Sequence, residues 1–349
     1  MPRYREIVGC IHIHFPLDLE SRALAFMGAD GEKAGVDFLL VNSHTPLEEK
    51  RALLERTLAA EGYHGRTLVI VGEEVDDNSH HNHVVVAGVP RMVGNRKNPP
   101  SLEDVLALVR SHDGISLVAH PDGFHRLFFV RREHHWLRRD IENYTGVEVW
   151  SLLFDWAATT HPFNLPVRYF GFPRNLVGPS LHNCSLWDTL SFKGKKLGYA
   201  GLDIHRVFAP WLDIRKNFEY ATVFRVLRNH LLMENPLTGD AGHDRRMILD
   251  TLRACRVFFA DDLLRDSRGF FFGDADERFV MGDEVPAGKR AVVRVPTEGT
   301  VRLIRNGLCV REETAAGMDV PLESPGIYRV EVLLGGKPWI FSNHIRVGE

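Results

Sequence analysis

The stretch IVGCIHIHF, residues 7–15, is a short apolar run that ends in two histidines one residue apart. In a β-strand, side chains at positions i and i+2 point to the same face. The spacing therefore predicts that His12 and His14 project together from the end of a buried strand. Burying an imidazole without a partner is costly. The pair by itself is therefore more typical of partly buried, hydrogen-bonded histidines, and it indicates a binding site only together with further residues of the same kind.

Four later segments repeat this pattern of an apolar run that ends in histidine or an acidic residue: FLLVNSH (38–44), LVIVGEE (68–74), ISLVAH (115–120) and LGYAGLDIH (197–205). The carboxyl ends of parallel strands in a closed barrel emerge at one face, so ligands that are distant in sequence meet there. Imidazole and carboxylate are ligands of divalent metals. With the histidine that begins HVVVAGV (83–89), the pattern predicts a polynuclear metal site made of His12, His14, His44, Glu73, His83, His120, Asp203 and His205.

The composition is that of an ordinary globular chain, with 349 residues, 44% hydrophobic and 26% charged. A formal net charge of −3 provides no overall field that attracts nucleic acid or a membrane. The four cysteines are scattered without a CxxC pair, which argues against a disulfide framework and favours a reducing compartment. No apolar run is long enough to span a bilayer. We therefore expect a cytoplasmic protein with a small-molecule substrate.

The alternation of short apolar runs with helical segments up to residue 255 predicts βα units and a mainly parallel sheet. Strands are predicted over 7–15, 36–41, 67–75, 83–89, 115–119, 146–150 and 197–204, and helices over 19–34, 47–60, 101–111, 131–143 and 244–254. Residues 152–190 are expected to be irregular, with one short helix at 186–190. Alternating strands with Asn-Gly and Gly-Gly turns follow from 256 to 349 and predict a small β-sandwich domain.

Taken in order, the motifs HIH (12–14), SH (43–44), GEE (72–74), NHVVVAG (82–88), AHP (119–121) and GLDIH (201–205) resemble those of the PHP (polymerase and histidinol phosphatase) superfamily. The resemblance covers residues 1–255. It implies a distorted seven-stranded β/α barrel with two or three divalent metals, Zn, Mn or Fe, at its C-terminal face. The tail at 256–349, with RNG and FSNHIRV, resembles the β-sandwich that follows the barrel in a carbaryl-hydrolase-like branch.

The resemblance also implies how the ligands divide among the metals. The first metal would be held by His12, His14 and Asp203, and the second by His83 and His120 with Glu73 as the bridging carboxylate. The third would be held by His44 and His205, with Asp18 as the nearest further candidate. Alternation from Val71 places Glu73 towards the metals and Glu74 on the other face. Glu148 on the sixth strand is expected to orient a ligand, and His134 is expected in a loop or on the surface.

The implied activity is hydrolysis of a phosphoester of a small molecule or nucleotide by a hydroxide that bridges two metals. Glu73, Asp203 and His205 are the predicted catalytic residues, and His125, Arg174 and Arg206 are weaker candidates for contacts to the substrate. Two alternatives stay open. One is hydrolysis of a carboxylic ester, amide or carbamate, which the tail suggests. The other is an inactive binding module that the metals stabilise.

Overall fold

The structure is a computed structural model that describes residues 3–15, 22–45, 48–77, 79, 81–127, 130–205 and 219–348. The side chains of 48–50, 125–127 and 130–132 also lie outside the description. Within these ranges, no helix has both the length and the apolar composition needed to cross a bilayer.

The first part of the chain alternates strands with helices. Its strands are β1 (Arg5–His14), β2 (Phe38–His44), β3 (Gly62–His64), β4 (Thr67–Val75), β5 (Val84–Ala87), β6 (Ile115–Val118), β7 (Asp122–Leu127), β8 (Val130–His135), β9 (Gly146–Ser151), β10 (Leu197–Ile204) and β11 (Leu227–Met233). Its helices are α1 (Arg22–Ala34), α2 (Glu48–Ala59), α3 (Leu102–Ser111), α4 (Leu152–Ala158), α5 (Leu165–Gly171), α6 (Leu181–Lys193), α7 (Tyr220–Val223) and α8 (Ala241–Arg253).

Seven of the described strands close a ring by backbone hydrogen bonds, in the order β1, β2, β4, β5, β6, β9, β10 and back to β1. Six of them run in the same direction, and β5 is antiparallel to both of its neighbours. The start of β5 therefore lies at the face where the other six strands end. The predicted seven-stranded β/α barrel is confirmed.

Alternate residues of each strand face the inside of the ring or the surrounding helices. In β4, Leu68 and Ile70 belong to the apolar core inside the ring, which helix α8 closes with Ile248. Their neighbours, such as Val69, belong to the core between the ring and the helices. Because both faces of β4 are apolar, the sequence of this strand contains no signal that tells one face from the other.

The predicted elements before residue 255 are present with two differences, and β3, α7 and β11 are additions that the sequence patterns did not predict. Residues 131–143 were expected to be helical, but β7 and β8 form an antiparallel hairpin here, with Asp122 paired to His135. The segment 152–190 contains α4, α5 and most of α6 instead of irregular chain. The hairpin is a local pairing: Pro121 directly follows the end of β6, and β7 finds its partner β8 as the next segment of the chain. Helical propensity alone does not register such a pairing.

The second part of the chain is all-β. Its strands are β12 (Val257–Asp261), β13 (Phe271–Gly273), β14 (Glu284–Pro286), β15 (Lys289–Arg305), β16 (Leu308–Leu322), β17 (Gly326–Leu334), β18 (Lys337–Ser342) and β19 (Ile345–Gly348). They surround an apolar core of their own, so the predicted C-terminal β domain is confirmed. The boundary between 255 and 256 stays a prediction, because β12 pairs with β11 on one side and with β18 on the other.

A buried ion pair joins helix α6 to the β domain. Nε and Nη2 of Arg329 donate to the two carboxylate oxygens of Asp188 at 2.7 and 2.9 Å. Nε2 of His344 lies 2.7 Å from Oδ1 of the same carboxylate. These contacts hold the pKa of Asp188 at about 2 in spite of its burial. Asp188 therefore remains charged over the whole neutral range.

We expect Asp188→Ala to lower the free energy of unfolding by about 3–5 kcal/mol, because it leaves Nε and Nη2 of the buried Arg329 guanidinium without acceptors and only Glu331, at Nη1, as a counter-charge. Denaturant unfolding followed by circular dichroism measures the change. The double variant Asp188→Ala/Arg329→Met is the control and should recover most of the loss. A loss below about 1 kcal/mol in the single variant, which is the range of exposed ion pairs, would contradict a stabilising role for this contact.

Candidate metal centre

One buried carboxylate lies at the centre of the barrel face where the strands end. Glu74, near the end of β4, is 1% exposed. Its two carboxylate oxygens lie close to a ring nitrogen of five histidines: 2.6 Å from His83, 3.0 Å from His14, 3.1 Å from His44, 3.4 Å from His120 and 3.6 Å from His12. These histidines come from four places in the chain, since His12 and His14 share β1, so the closed ring is what brings them together.

A second carboxylate, Asp203 near the end of β10, faces the histidines of β1. Its Oδ1 lies 3.1 Å from Nε2 of His14 and 3.4 Å from Nε2 of His12. The ring of His14 stacks on that of His205 with 3.8 Å between centroids. His205 in turn approaches His44, with 3.3 Å between their Nε2 atoms. His44 and His205 are 40% and 41% exposed, so they form the open side of the cluster.

Behind the cluster, Glu148 of β9 orients His12. Nδ1 of His12 donates to Oε2 of Glu148 at 2.8 Å, and the backbone N–H of His120 donates to the same oxygen at 3.0 Å. Both Glu148 and His12 are fully buried. The bond fixes the tautomer of His12, so that its Nε2 lone pair faces Glu74 and Asp203. The expected orienting role of Glu148 matches this contact.

The backbone is strained at three of the candidate ligands. His12, His120 and Asp203 have φ values of 60°, 29° and 47°, a region that non-glycine residues seldom adopt. His12 is also the extra residue of a bulge, since Ile11 pairs with Leu40 and Ile13 with the very next residue of β2. Such strain persists where the surrounding structure enforces it, and bulges of this kind recur at barrel rims beside active sites.

The donor set fits divalent cations. Nε2 of His12 and Oε2 of Glu74 are buried in the cluster without a hydrogen-bond partner among the described residues, although other polar atoms lie nearby. Close approach without hydrogen bonding is expected of atoms that share a cation rather than a proton. Three sets of ligand atoms lie within 4.8 Å of one another: His12, His14, Glu74 and Asp203; His44, Glu74 and His83; and His14, His44 and His205.

The protonation states of the two carboxylates and of the two histidines on the open side suit ligation. Burial opposes charging of His12, His14 and His83, but the neighbouring carboxylates outweigh it and raise the pKa of these three histidines, so a cation would have to displace their protons. Burial opposes ionisation of Glu74, but the imidazoles of His44 and His12 outweigh it and hold the pKa of this carboxyl well below its usual range. The pKa of Asp203 is lowered in the same way, chiefly by His12. Partial burial lowers the pKa of His44 to about 3 and that of His205 to about 4. At neutral pH these carboxylates are ionised and these two imidazoles neutral, which are the forms that bind metals.

The structure brings together seven of the predicted site residues: His12, His14, His44, His83, His120, Asp203 and His205. It does not bring Glu73 to them, so the expected orientation of Glu73 and Glu74 is wrong. Glu73 faces the opposite side of β4, where its carboxylate accepts hydrogen bonds from the backbone N–H groups of Val93 at 2.7 Å and Gly94 at 3.1 Å. The physical reason is the alternation of β4, which places Glu74 on the same face as Leu68 and Ile70, inside the ring.

One histidine of the site region was missed. The ring centroid of His134 in β8 lies 5.4 Å from that of His83 and 6.0 Å from that of His120. The expected helix over 131–143 concealed this contact, because only the hairpin folds His134 back over the strand ends. The signal available in the sequence was the period-two alternation of side chains that an extended segment after Pro121 would show, in place of the helical period.

The structure describes the other candidates less completely, namely Asp18 as a ligand of the third metal and His125, Arg174 and Arg206 as contacts to the substrate. Asp18 and Arg206 lie outside the described residues. His125 belongs to β7, where its backbone pairs with Arg132, and its side chain is outside the description. Arg174 is exposed in the turn after α5. Their roles stay predictions.

A closed β/α barrel with a histidine–carboxylate cluster at its strand ends defines the class of this protein, and both features are those implied by the resemblance to the PHP superfamily. Two solved structures are similar to this chain. A two-domain protein of Bacteroides vulgatus containing a predicted PHP-like metal-dependent phosphoesterase shares 11% identity over 99% of this chain and 96% of that chain, with a TM-score of 0.48. A proposed metal-dependent phosphoesterase of Bifidobacterium adolescentis shares 12% identity over 56% of this chain and 86% of that chain, with a TM-score of 0.33.

No family model and no curated protein matches the sequence. The carbaryl-hydrolase-like branch stays a prediction for the tail.

The adjacent pair Glu73 and Glu74 provides a matched test of the cluster. We expect Glu74→Gln to lose bound metal, because it removes the carboxylate that two of the ligand sets share. Glu73→Gln should keep the metal content of the unmodified protein. Elemental analysis of the purified proteins gives metal per chain. Equal metal content in the two variants would contradict the assignment of Glu74.

Glu148→Gln tests the orienting contact. The amide oxygen still accepts from Nδ1 of His12, but the charge that raises the basicity of the ring is lost. We expect metal affinity to fall about 10–100-fold, as for other outer partners of metal-bound histidines. Competition with a chelator of known affinity measures the change, and circular dichroism confirms the fold. Unchanged affinity in a folded variant would show that Glu148 has no such role.

Proposed function

We propose that this protein is a metal-dependent hydrolase that cleaves a phosphoester of a small molecule or nucleotide. The observation that carries the proposal is the buried Glu74 carboxylate, which two sets of candidate ligands share. A shared carboxylate is the feature that holds two cations close together. Two adjacent cations suit a substrate whose transferring group carries several anionic oxygens.

His12, His14, Glu74 and Asp203 are proposed to hold one cation, and Glu74, His44 and His83 a second, with His120 beside Glu74. A third cation would be held by His14, His44 and His205. Zn, Mn or Fe are the proposed metals. When bound, such ions polarise phosphoryl oxygens and lower the pKa of water towards neutrality.

The chain supplies orientation and a partly closed surface around the cations. Glu148 holds His12 in one tautomer, as its 2.8 Å contact indicates. Phe154 covers the ring of His120 with 4.6 Å between centroids, so it excludes water from this side. His44 and His205 lie on the open side, where a substrate would approach. Asp203 and His205 keep their proposed catalytic roles, and Glu74 replaces Glu73.

The phosphoester is preferred to a carboxylic ester, amide or carbamate because the ordered motifs of residues 12–205 carry the resemblance to the PHP superfamily. The carbamate alternative depends on the tail. Every residue of the three ligand sets precedes residue 206, so the tail contributes none of them. An inactive module is less favoured, because the cluster has retained a nearly complete set of ligands.

The test is an assay of the full chain loaded in turn with Mn²⁺, Zn²⁺ and Fe²⁺, on an aryl phosphate, the matching aryl acetate and the matching aryl carbamate. We expect turnover of the phosphate, loss of activity with a chelator and recovery on adding metal. Glu74→Gln and Asp203→Asn should lower kcat/KM by more than the roughly 100-fold that loss of an outer partner of a metal site causes.

Glu73→Gln is the matched control for this assay and should keep most of the activity, since Glu73 faces Val93 and Gly94. Turnover of the acetate or carbamate without the phosphate would support the alternative hydrolase. Background rates on all three substrates, in a protein that does bind metal, would support the inactive module.

A further inference from the structure

The β7–β8 hairpin places one more histidine beside the metal centre. The ring of His134 lies 5.4 Å from that of His83 and 6.0 Å from that of His120, measured between centroids. Its side chain is partly exposed. None of the three sets of candidate ligand atoms among the described residues includes His134. This histidine therefore borders the cluster without belonging to the atoms that would share a cation.

The first strand of the hairpin is fixed against His120. The backbone N–H of Gly123 donates to the C=O of His120 at 2.7 Å, and Gly123 pairs with His134 across the hairpin. A Cβ atom at position 123 would lie 2.8 Å from Nδ1 of His120 and 3.2 Å from Cβ of His134. The first of these distances is shorter than real contacts of a Cβ atom, so the lack of a side chain at Gly123 lets the two histidines approach each other.

The second strand is fixed against His83. Asn82 directly precedes His83, and its backbone N–H donates to the C=O of His135 at 3.2 Å. Oδ1 of the same buried asparagine accepts from the backbone N–H of Leu137 at 2.6 Å. His134 directly precedes these anchored residues, so its backbone is held in a set position relative to the cluster. Support of this kind from outside the site is what keeps a binding side chain in a productive place.

The rings connect His134 to the open side of the metal centre. The centroids of His205 and His44 are 5.5 Å apart, those of His44 and His83 6.0 Å, and those of His83 and His134 5.4 Å. His205 and His44 are the half-exposed members of the cluster. A row of imidazoles thus leads from the side where a substrate would approach to His134.

The chemistry of the imidazole suits contact with an anionic oxygen. An imidazole carries at least one N–H donor, whether it is neutral or protonated. A hydrogen bond from such a donor to a charged oxygen is shorter and stronger than one between neutral groups. Phe154 lies 6.2 Å from His134 and 4.6 Å from His120 between centroids, so one wall of this region is apolar. Apolar surroundings strengthen an electrostatic contact further.

We propose that His134 binds the substrate by donating a hydrogen bond to an oxygen of its phosphoryl group, on the side of the cluster formed by His83 and His120. The proposal rests on the proposed phosphoesterase function, because it takes the phosphoryl group as the part of the substrate that the cluster receives. It makes His134 a substrate-binding residue and not a ligand of the cations.

Binding of inorganic phosphate to the full chain loaded with Mn²⁺ tests the proposal without relying on hydrolysis, and isothermal titration calorimetry measures it. We expect His134→Ala to weaken phosphate binding about 10- to 100-fold, the effect of losing a hydrogen bond to a charged group. Metal per chain, from elemental analysis, should equal that of the unmodified protein. His134→Gln keeps an N–H donor and should recover part of the loss.

His135→Ala is the matched control. The side chain of His135 points to the opposite face of β8 from that of His134, and its Nε2 lies 3.7 Å from the carboxylate of Glu133. Its bond to Asn82 uses the backbone C=O, which alanine retains. We expect His135→Ala to leave phosphate binding unchanged. Equal losses in His134→Ala and His135→Ala would assign the effect to the hairpin as a whole and overturn the proposal.

Three other results would overturn it: loss of metal from His134→Ala, which would make His134 a ligand; unchanged phosphate binding in metal-replete His134→Ala; and no phosphate binding by the loaded, unmodified protein. If the protein hydrolyses phosphates, His134→Ala should raise KM for an aryl phosphate and change kcat little, as expected for a contact made equally in the ground state and the transition state.

The failure of this proposal and the failure of the proposed function give different results. Turnover of the aryl phosphate with the same KM in His134→Ala would reject the role of His134 and leave the proposed function in place. Phosphate binding that depends on His134, in a loaded protein that turns over no phosphoester, would support the role of His134 and reject the proposed function.

Discussion

The structure depends on burying one carboxylate among imidazoles. Glu74 is almost completely enclosed, and five histidine rings approach it within 3.6 Å. A carboxylate in such a place is destabilising unless opposite charge or metal compensates it. The barrel meets this condition by ending its parallel strands at one face and by reversing β5, so that His83 at its start reaches the same place as the ends of the other strands.

The strand ends are not regular, and their irregularity serves the site. The bulge at His12 turns one extra residue of β1 into the cluster, and Asp203 on the neighbouring strand adopts a similar positive φ. Glu148 then secures His12 and the backbone of His120 from beneath. The ligands are therefore positioned by a backbone that other contacts hold in strained conformations, which is the arrangement expected of a preorganised site.

The C-terminal domain takes part in this support. The side chain of Asn343 bonds to both the N–H and the C=O of Gly198 at 2.8 Å, and also to the C=O of Val257 at 2.9 Å. Gly198 belongs to β10, the strand that carries Asp203. The ion pair of Asp188 with Arg329 anchors α6 nearby. The β domain thus stabilises the barrel strand and the helix next to the site without supplying a ligand.

The sequence by itself determined the strands of the ring and seven residues of the cluster, because apolar runs that end or begin with His or Asp are a local pattern and parallel strands end at one face. The closed barrel was implied by the resemblance to the PHP superfamily. Only the tertiary structure decided between Glu73 and Glu74, since both faces of β4 are apolar and the inside of a ring is defined by its closure. The hairpin itself joins neighbouring segments, residues 122–127 and 130–135, but the contacts of His134 with His83 and His120 exist only in the folded barrel. Such contacts are settled by packing, which no local pattern of residues records.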